Sequence, residues 1–333
     1  MFRVAKLSSQ ERSDLFTEAA AQMAIRPSIL EKDFWVCLVL KFLFSDHSLQ
    51  KHMVFKGGTS LSKVYGLIQR FSEDIDLILD WQLLGFDRAE PLRDQLSKTQ
   101  QDKFNKEVNR LAGVFIAEKL TPELDTLLRD MEVGLSAEVD PGDPLVVNVR
   151  YPAAFAESYI RPEVRLEIGP LGSWIPSKLH TIQPYAADVL PHLFDDPSCS
   201  VLTIVAERTF WEKATILHQE AHRQNLLPQR HSRHYYDLYK LALSPVRNEA
   251  LSALPLLAEV VQFKQRFYPS QWARYDLARP GTFRLLPTSE AQTKALQLDY
   301  EQMQIMLFGD RPEFHSIITG LGELEAEINS LRS

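Results

Sequence analysis

The side chains best suited to chemistry in this chain are two aspartates, Asp74 and Asp76, set in the apolar run Asp74-Ile75-Asp76-Leu77-Ile78-Leu79. Such a run predicts a strand. Side chains alternate along a strand, so both carboxylates point to one face, roughly 6–7 Å apart by strand rise. Two carboxylates at that spacing suit one or two hard divalent cations shared with phosphate oxygens. Upstream, Met53-Val54-Phe55-Lys56 predicts another strand, and Gly57-Gly58-Thr59-Ser60 follows it, ending fourteen residues before Asp74. A strand that runs into two glycines and two hydroxyls leaves bare N–H groups at the start of a helix, a place to hold phosphate. Either element alone is common, as a turn or as the end of a surface strand. In this order, at opposite ends of a strand–helix–strand unit, they predict a nucleotide-handling site.

Further polar residues stand out downstream. A strand is expected from Ile160 to Ile168, with Val164, Leu166 and Ile168 on one face and Glu163, Arg165 and Glu167 on the other. A helix is expected from Val201 to about Gln224, with the stripe Leu202, Ala206, Thr209, Phe210, Lys213, Ile216, Leu217. Lys213 falls in the middle of that stripe, where a lysine needs a negative partner or must snorkel to water. On the next helix Arg230, Arg233 or His234, and Asp237 are expected on one side, with Tyr235, Leu238 and Ala242 packing on the other. A surface ladder of ion pairs would have the same spacing.

These residues need elements to position them. An amphipathic helix is expected over residues 8–25, broken by Arg26-Pro27. Ser28 with Glu31 has capping-box spacing and leads into a buried helix through Phe44, ended by Asp46 and His47. By this reading Glu31-Lys32-Asp33 supplies caps and first-turn charges. Residues 98–129 predict a helical insertion beside the sheet, and the turn Asp140–Pro144 separates strands near 132–138 and 145–151. The proline-rich, irregular stretch 173–200 suggests a boundary, giving domains of 1–195 and 196–333. Beyond it the aromatics Phe263, Phe267, Tyr268 and Trp272 read as core. Helices are expected over Glu290–Leu307, capped by Ser289 or Thr288, and over Glu313–Leu331.

Composition narrows the function classes. A net charge of −7 excludes a polycation, so any nucleic-acid contact needs a local basic patch. The most basic segment, Val205 to Lys240, holds Arg208, Lys213, Arg223, Arg230, Arg233, Lys240 and four of the nine histidines. With Tyr235, Tyr236 and Tyr239 it is the expected docking place for a polynucleotide. Two cysteines, Cys37 and Cys199, make neither a disulfide framework nor a zinc site. The apolar run Phe34–Phe44 is 11 residues long and carries Lys41, too short to span a bilayer. Met1 opens onto a polar segment rather than a secretory signal, so a cytoplasmic protein without a membrane partner is expected.

The order Gly-Gly-Thr-Ser, then Asp-x-Asp, resembles the polymerase-beta-like nucleotidyltransferase superfamily. More narrowly, Lys56-Gly57-Gly58-Thr59-Ser60-Leu61-Ser62-Lys63 followed by Arg70-Phe71-Ser72-Glu73-Asp74-Ile75-Asp76-Leu77 resembles the AbiEii/AbiGii toxin family of bacterial and archaeal toxin–antitoxin and phage-defence systems. Glu207-Arg208-Thr209-Phe210-Trp211-Glu212-Lys213 resembles that family's third motif, and the helix ending Asp237-Leu238-Tyr239 its fourth. Many members carry an acid where this chain has His234, which leaves the role of His234 open. The resemblance implies an α+β fold, a mixed-sheet core with flanking helices and a helical C-terminal region. It implies Asp74 and Asp76 as metal ligands for Mg²⁺ or Mn²⁺. Gly57, Gly58, Thr59, Ser60, Lys63 and Arg70 would meet the phosphates of an NTP. Lys213 and Asp237 would be catalytic, and Glu167 would be a third carboxylate that activates the attacking hydroxyl. The implied acceptor is RNA, the tRNA 3′ end first among candidates, and a cognate antitoxin is expected from a neighbouring gene. A nucleotide-binding module without transfer, or another Asp-x-Asp transferase, is the alternative. The latter gives the Gly-Gly-Thr-Ser turn and Lys213 no task.

Overall fold

In a computed structural model, residues 1–46, 50–72, 74–87, 96–156, 161–225 and 227–332 are described. The expected helix end at His47, the strand start at Ile160, and Glu73 of the acidic motif lie outside the described residues. The chain divides into two compact units, one of Met1–Val64 with Phe71–Ile204, the other of Tyr65–Arg70 with Val205–Ser333.

The first unit is built on a mixed sheet of seven strands: β1 (Met53–Lys56), β2 (Asp74–Leu79), β3 (Ser136–Asp140), β4 (Asp143–Arg150), β5 (Glu163–Gly169), β6 (Ser177–Ile182) and β7 (Cys199–Ile204). Their order is β3-β4-β5-β2-β1-β7-β6, with β2 parallel to β5, β1 parallel to β7, and every other neighbour antiparallel. Seven helices belong to it: α1 (Phe2–Ala5), α2 (Ser9–Met23), α3 (Pro27–Lys41), α4 (Gly57–Lys63), α5 (Lys98–Phe115), α6 (Thr121–Arg129) and α7 (Tyr185–Val189). This is the α+β architecture expected.

Helix α3 is buried from Ser28 to Lys41, on every side. That suits a helix that is apolar all round, but it also takes four charges inside, Glu31, Lys32, Asp33 and Lys41. The helix starts at Pro27 with Arg26 as N-cap and no side-chain cap, so the expected Ser28–Glu31 capping box does not form. The Glu31 carboxylate instead accepts from the backbone N–H of Ala154 at 2.8 Å and Phe155 at 3.3 Å, and Lys32 donates to the Arg161 carbonyl at 3.3 Å. A buried charge persists only when it is paired or hydrogen-bonded, and these ties fasten α3 to the loop between β4 and β5.

Two further expectations fail in this unit. Residues 173–200 are not a linker: they contain β6, α7 and the start of β7. Nor is Val201–Ile204 helical, because it belongs to β7, which runs parallel to β1 with Phe55 opposite Thr203. A buried strand of this length is indistinguishable by periodicity from a helical turn. The division between units falls after Ile204 rather than at 195.

The second unit is helical: α8 (Ala206–Ala221), α9 (Ser232–Ala242), α10 (Val246–Ser252), α11 (Leu254–Phe267), α12 (Glu290–Met303) and α13 (Phe314–Ser330). Helix α9 packs against α8, α12 and α13. Ser289 caps α12 as expected, its Oγ accepting from the Gln292 N–H at 3.2 Å. The segment Tyr65–Arg70 is held to this unit by backbone: Phe308 N–H donates to the Gln69 carbonyl at 2.9 Å, and Arg70 pairs with Leu307. Among the described residues, no helix is long and apolar enough to cross a membrane.

Candidate functional site

In the first unit, β1 ends at Lys56, opposite Asp76 in the antiparallel register. The chain then turns at Gly57 with φ +82° into α4. A Cβ built on Gly57 would lie 1.9 Å from Asp76 Oδ2. Only glycine fits, because the backbone is left-handed and the Asp76 carboxylate already occupies the space. Along β2, Asp74 and Asp76 are half-buried while Ile75 and Leu77 are fully buried, so the carboxylates share the more open face. Strand β5 lies beside β2 in parallel register, with Arg165 opposite Asp74 and Glu167 opposite Asp76. Glu167 therefore sits on a strand adjacent to the two aspartates, as the resemblance implied.

Arg165 gathers the acids of this face. Its Nε lies 3.3 Å from Glu167 Oε1 and its Nη1 3.1 Å from Asp140 Oδ2. Asp140 also accepts from Asn148 Nδ2 at 2.9 Å and from the Gly142 N–H at 2.8 Å, which hold its carboxyl below the usual range. Arg165 had been read only as part of a polar strand face, since its partner Asp140 comes from another strand. Among the described residues no three acid, His or Cys side chains gather closely enough to hold a metal unaided. Asp74 and Asp76 still fit a hard cation: they are carboxylate oxygens on one partly open strand face, and phosphate oxygens and water can complete such a shell.

The neighbouring hydroxyls do other work. Thr59 Oγ1 donates to the Asp74 carbonyl at 2.5 Å, tying α4 to β2, and Ser60 Oγ donates to the Gly57 carbonyl at 2.9 Å. Both residues are buried. Their protons are committed to backbone carbonyls. The expectation for Lys63 is corrected outright. Its ammonium lies 2.7 Å from Asp33 Oδ1 and 3.4 Å from the centre of the Tyr185 ring, with its side chain buried. Burial disfavours the ammonium, but Asp33 outweighs that and raises its pKa. Lys63 and Asp33 thus form an internal pair far too well satisfied to serve a ligand.

In the second unit, four polar side chains meet inside the protein. Arg70 grips Asp237 with two bonds, Nε to Oδ1 at 2.6 Å and Nη2 to Oδ2 at 2.9 Å. Lys213 Nζ lies 2.9 Å from Asp237 Oδ2 and 3.2 Å from His234 Nδ1. Helix α8 supplies Lys213, and α9 supplies His234 and Asp237 one turn apart. The negative partner that the sequence demanded for Lys213 is therefore Asp237. Burial pushes the Asp237 carboxyl pKa up, but Arg70 and Lys213 overcome it and hold it at about 2. Burial, then Lys213 and Arg233, push the His234 imidazole well below its ordinary value, so the ring is neutral and accepts from the ammonium. Burial also lowers the Lys213 pKa, opposed by Asp237. Arg70 was expected on phosphate; here its guanidinium is committed to Asp237 in the buried cluster.

Other expectations for this segment change. Arg230 precedes α9, with a left-handed φ of +62°, and its N–H and that of Ser232 are held by Asp299 at 2.6 and 2.8 Å. It does not join the face of His234 and Asp237. Tyr235 and Tyr236 are buried, as is Arg208, while Arg223 pairs with Glu220 at 2.5 Å and Lys240 faces Asp310 at 3.6 Å. The most basic stretch of sequence mostly points inward or is already neutralised.

No curated protein matches the sequence. A solved structure that it matches is MenT4, a nucleotidyltransferase toxin from Mycobacterium tuberculosis, at 17% identity and TM-score 0.42, over 98% of this chain and 100% of that one. The family model described as nucleotidyl transferase AbiEii toxin, type IV toxin–antitoxin system, matches residues 40–320. That span takes in the glycine turn, the paired aspartates, Glu167, Lys213 and Asp237, and the chain belongs to this family of nucleotidyltransferase toxins.

Proposed function

We propose that this toxin transfers a nucleotide from an NTP to the 3′ hydroxyl of an RNA, with tRNA as acceptor, and releases pyrophosphate in the cytoplasm, where it serves phage defence. What carries the reading is the contact between Gly57 and Asp76: the backbone turn is built against the carboxylate, so closely that no side chain fits at position 57.

Asp74 and Asp76 would hold Mg²⁺ or Mn²⁺, which when bound supplies positive charge to the triphosphate. The Gly57 and Gly58 amides bind phosphate oxygens. Glu167 takes the proton of the acceptor hydroxyl, whose oxygen bonds to the α-phosphorus as the bond to pyrophosphate breaks. Lys213 offsets the charge on pyrophosphate. Two of its three N–H donors are taken by Asp237 and His234, which leaves a third. Asp237 and Arg70 hold the ammonium in position. The cognate antitoxin acts on this activity.

The test is incubation with total bacterial tRNA, Mg²⁺ and each α-labelled NTP in turn, beside Asp76→Ala. Label in tRNA from one or two nucleotides, absent with the variant, supports the reading. NTP binding without label transfer points to another acceptor or to a binding module, and absence of both overturns it.

A further inference from the structure

Residues Gln262 to Ser289 carry five cations, Lys264, Arg266, Arg274, Arg279 and Arg284, against one acid, Asp276, in a chain of net charge −7. Their placement differs from that of the inward-facing segment before them. Arg274, Arg279 and Arg284 are exposed. So are two rings that were expected in the core, Tyr268 at 51% and Trp272 at 41%, whereas Phe267 is buried.

The segment after α11 has little regular structure, and a buried histidine holds it in place. His218 on α8 faces the Arg274 carbonyl with Nε2 at 3.0 Å, and its Nδ1 accepts from the Arg284 N–H at 3.1 Å. Burial lowers its pKa to about 4, so the ring is neutral, with one donor and one acceptor that match those partners. Trp272 is fixed from another side. The Arg223 guanidinium stacks 4.4 Å from its ring centre and is itself anchored by Glu220 at 2.5 Å. Arg223 is thus neutralised and Arg274 pairs with Asp276, but Arg279 and Arg284 have no acidic partner among the described residues. From Lys213 to the end of α8 at Ala221 is about 12 Å by helical rise, a distance that a few nucleotides cover.

We infer that the exposed segment carrying Tyr268, Trp272, Arg279 and Arg284, which His218 and Arg223 hold to the C-terminal end of α8 at Arg274, Arg284 and Trp272, docks a single strand of RNA, and so is the acceptor-binding surface of the enzyme. The inference rests on the proposal that the acceptor is RNA. The arrangement matches what single strands need: guanidinium groups for the backbone and exposed ring faces on which any base can stack. A surface for duplex RNA would need cations without the rings.

The experiment uses the full chain and a fluorescein-labelled 12-nucleotide single-stranded RNA, followed by anisotropy over a salt series, with NTP binding measured by calorimetry alongside. The double variant Arg279→Glu/Arg284→Glu is expected to weaken RNA binding at least about 10-fold and to reduce the salt slope by about 1.4, the value for two lost phosphate contacts. Trp272→Ala is expected to weaken it about 5- to 100-fold, with Trp272→Phe retaining most affinity. NTP binding stays unchanged in all of them. Wild-type protein that does not bind the RNA, or both variants binding as wild type does, overturns the inference. So does equal binding of a 12-base-pair duplex with Trp272→Ala silent. Transfer of label into RNA that survives both variants sinks this surface and spares the proposed function. RNA binding that depends on this surface, without NTP binding, does the reverse.

Discussion

The molecule holds two clusters of charge that are built on opposite plans. On the sheet, Asp74, Asp76, Glu167 and Asp140 crowd one face around Arg165, half-open to water, and strand register sets their spacing. In the helical unit, Arg70 and Lys213 enclose Asp237 away from water and pair with it directly. Exposed acids of like sign tolerate loss of one member, since backbone hydrogen bonds carry the geometry and water screens the charge. A buried pair does not, because removing one partner strands the other in a medium that cannot solvate it. The first plan leaves carboxylates partly open to water. The second gives a stiff internal support in which each charge depends on its partner.

One chemical change tests that contrast in both places. Asp237→Asn should cost about 3–5 kcal/mol in urea unfolding, because Arg70 and Lys213 are left without their carboxylate. Asp76→Asn should leave unfolding within about 1 kcal/mol of wild type while nucleotide transfer falls about 10³-fold or more. Equal stability losses from the two would mean that the acidic face is as tightly coupled as the buried cluster.

Gly57→Ala falls between them. A left-handed alanine costs about 1–2 kcal/mol, and the added carbon must push the Asp76 carboxylate away, so transfer should drop by about 100-fold with the fold retained by circular dichroism. Retained transfer would separate the turn from the aspartate.

The smallest effect is in acid. The Asp237 pKa of about 2 lies below that of an unfolded aspartate, so its stabilisation is full above about pH 4 and is lost as pH falls toward 2. His234, held neutral, acts in the same direction from about pH 6.5 downward, since the unfolded chain takes up its proton first. Urea midpoints should therefore fall steadily below pH 6.5, by about 2 kcal/mol for Asp237 alone. His234→Gln should flatten the upper part of that curve.

Much of this was legible from local pattern. Alternation along Asp74–Leu79 placed both aspartates on one face, and Ser289 was recognisable as a helix cap. The lysine in an apolar stripe called for a negative partner or escape to water, and Asp237 is that partner. What failed had non-local causes. Lys63 lies one turn beyond the glycines, as a phosphate ligand could, yet Asp33 from α3 claims it. Strand β7 looked helical because its neighbour β1 is distant in sequence. Tyr236 and Trp272 exchanged the roles expected of them, the first buried and the second exposed, since ring content says nothing about which side of a helix or loop faces water.

The sequence by itself determined the family and the strand that carries Asp74 and Asp76, because residue type and short-range period act within a few bonds. Only the tertiary structure decided that Asp76 stands beside Glu167, that Asp237 clamps Lys213, and that Arg70, 167 positions from Asp237, closes the same cluster. Partners so far apart along the chain meet only when register and packing fix the distance between them, and no local pattern encodes that distance.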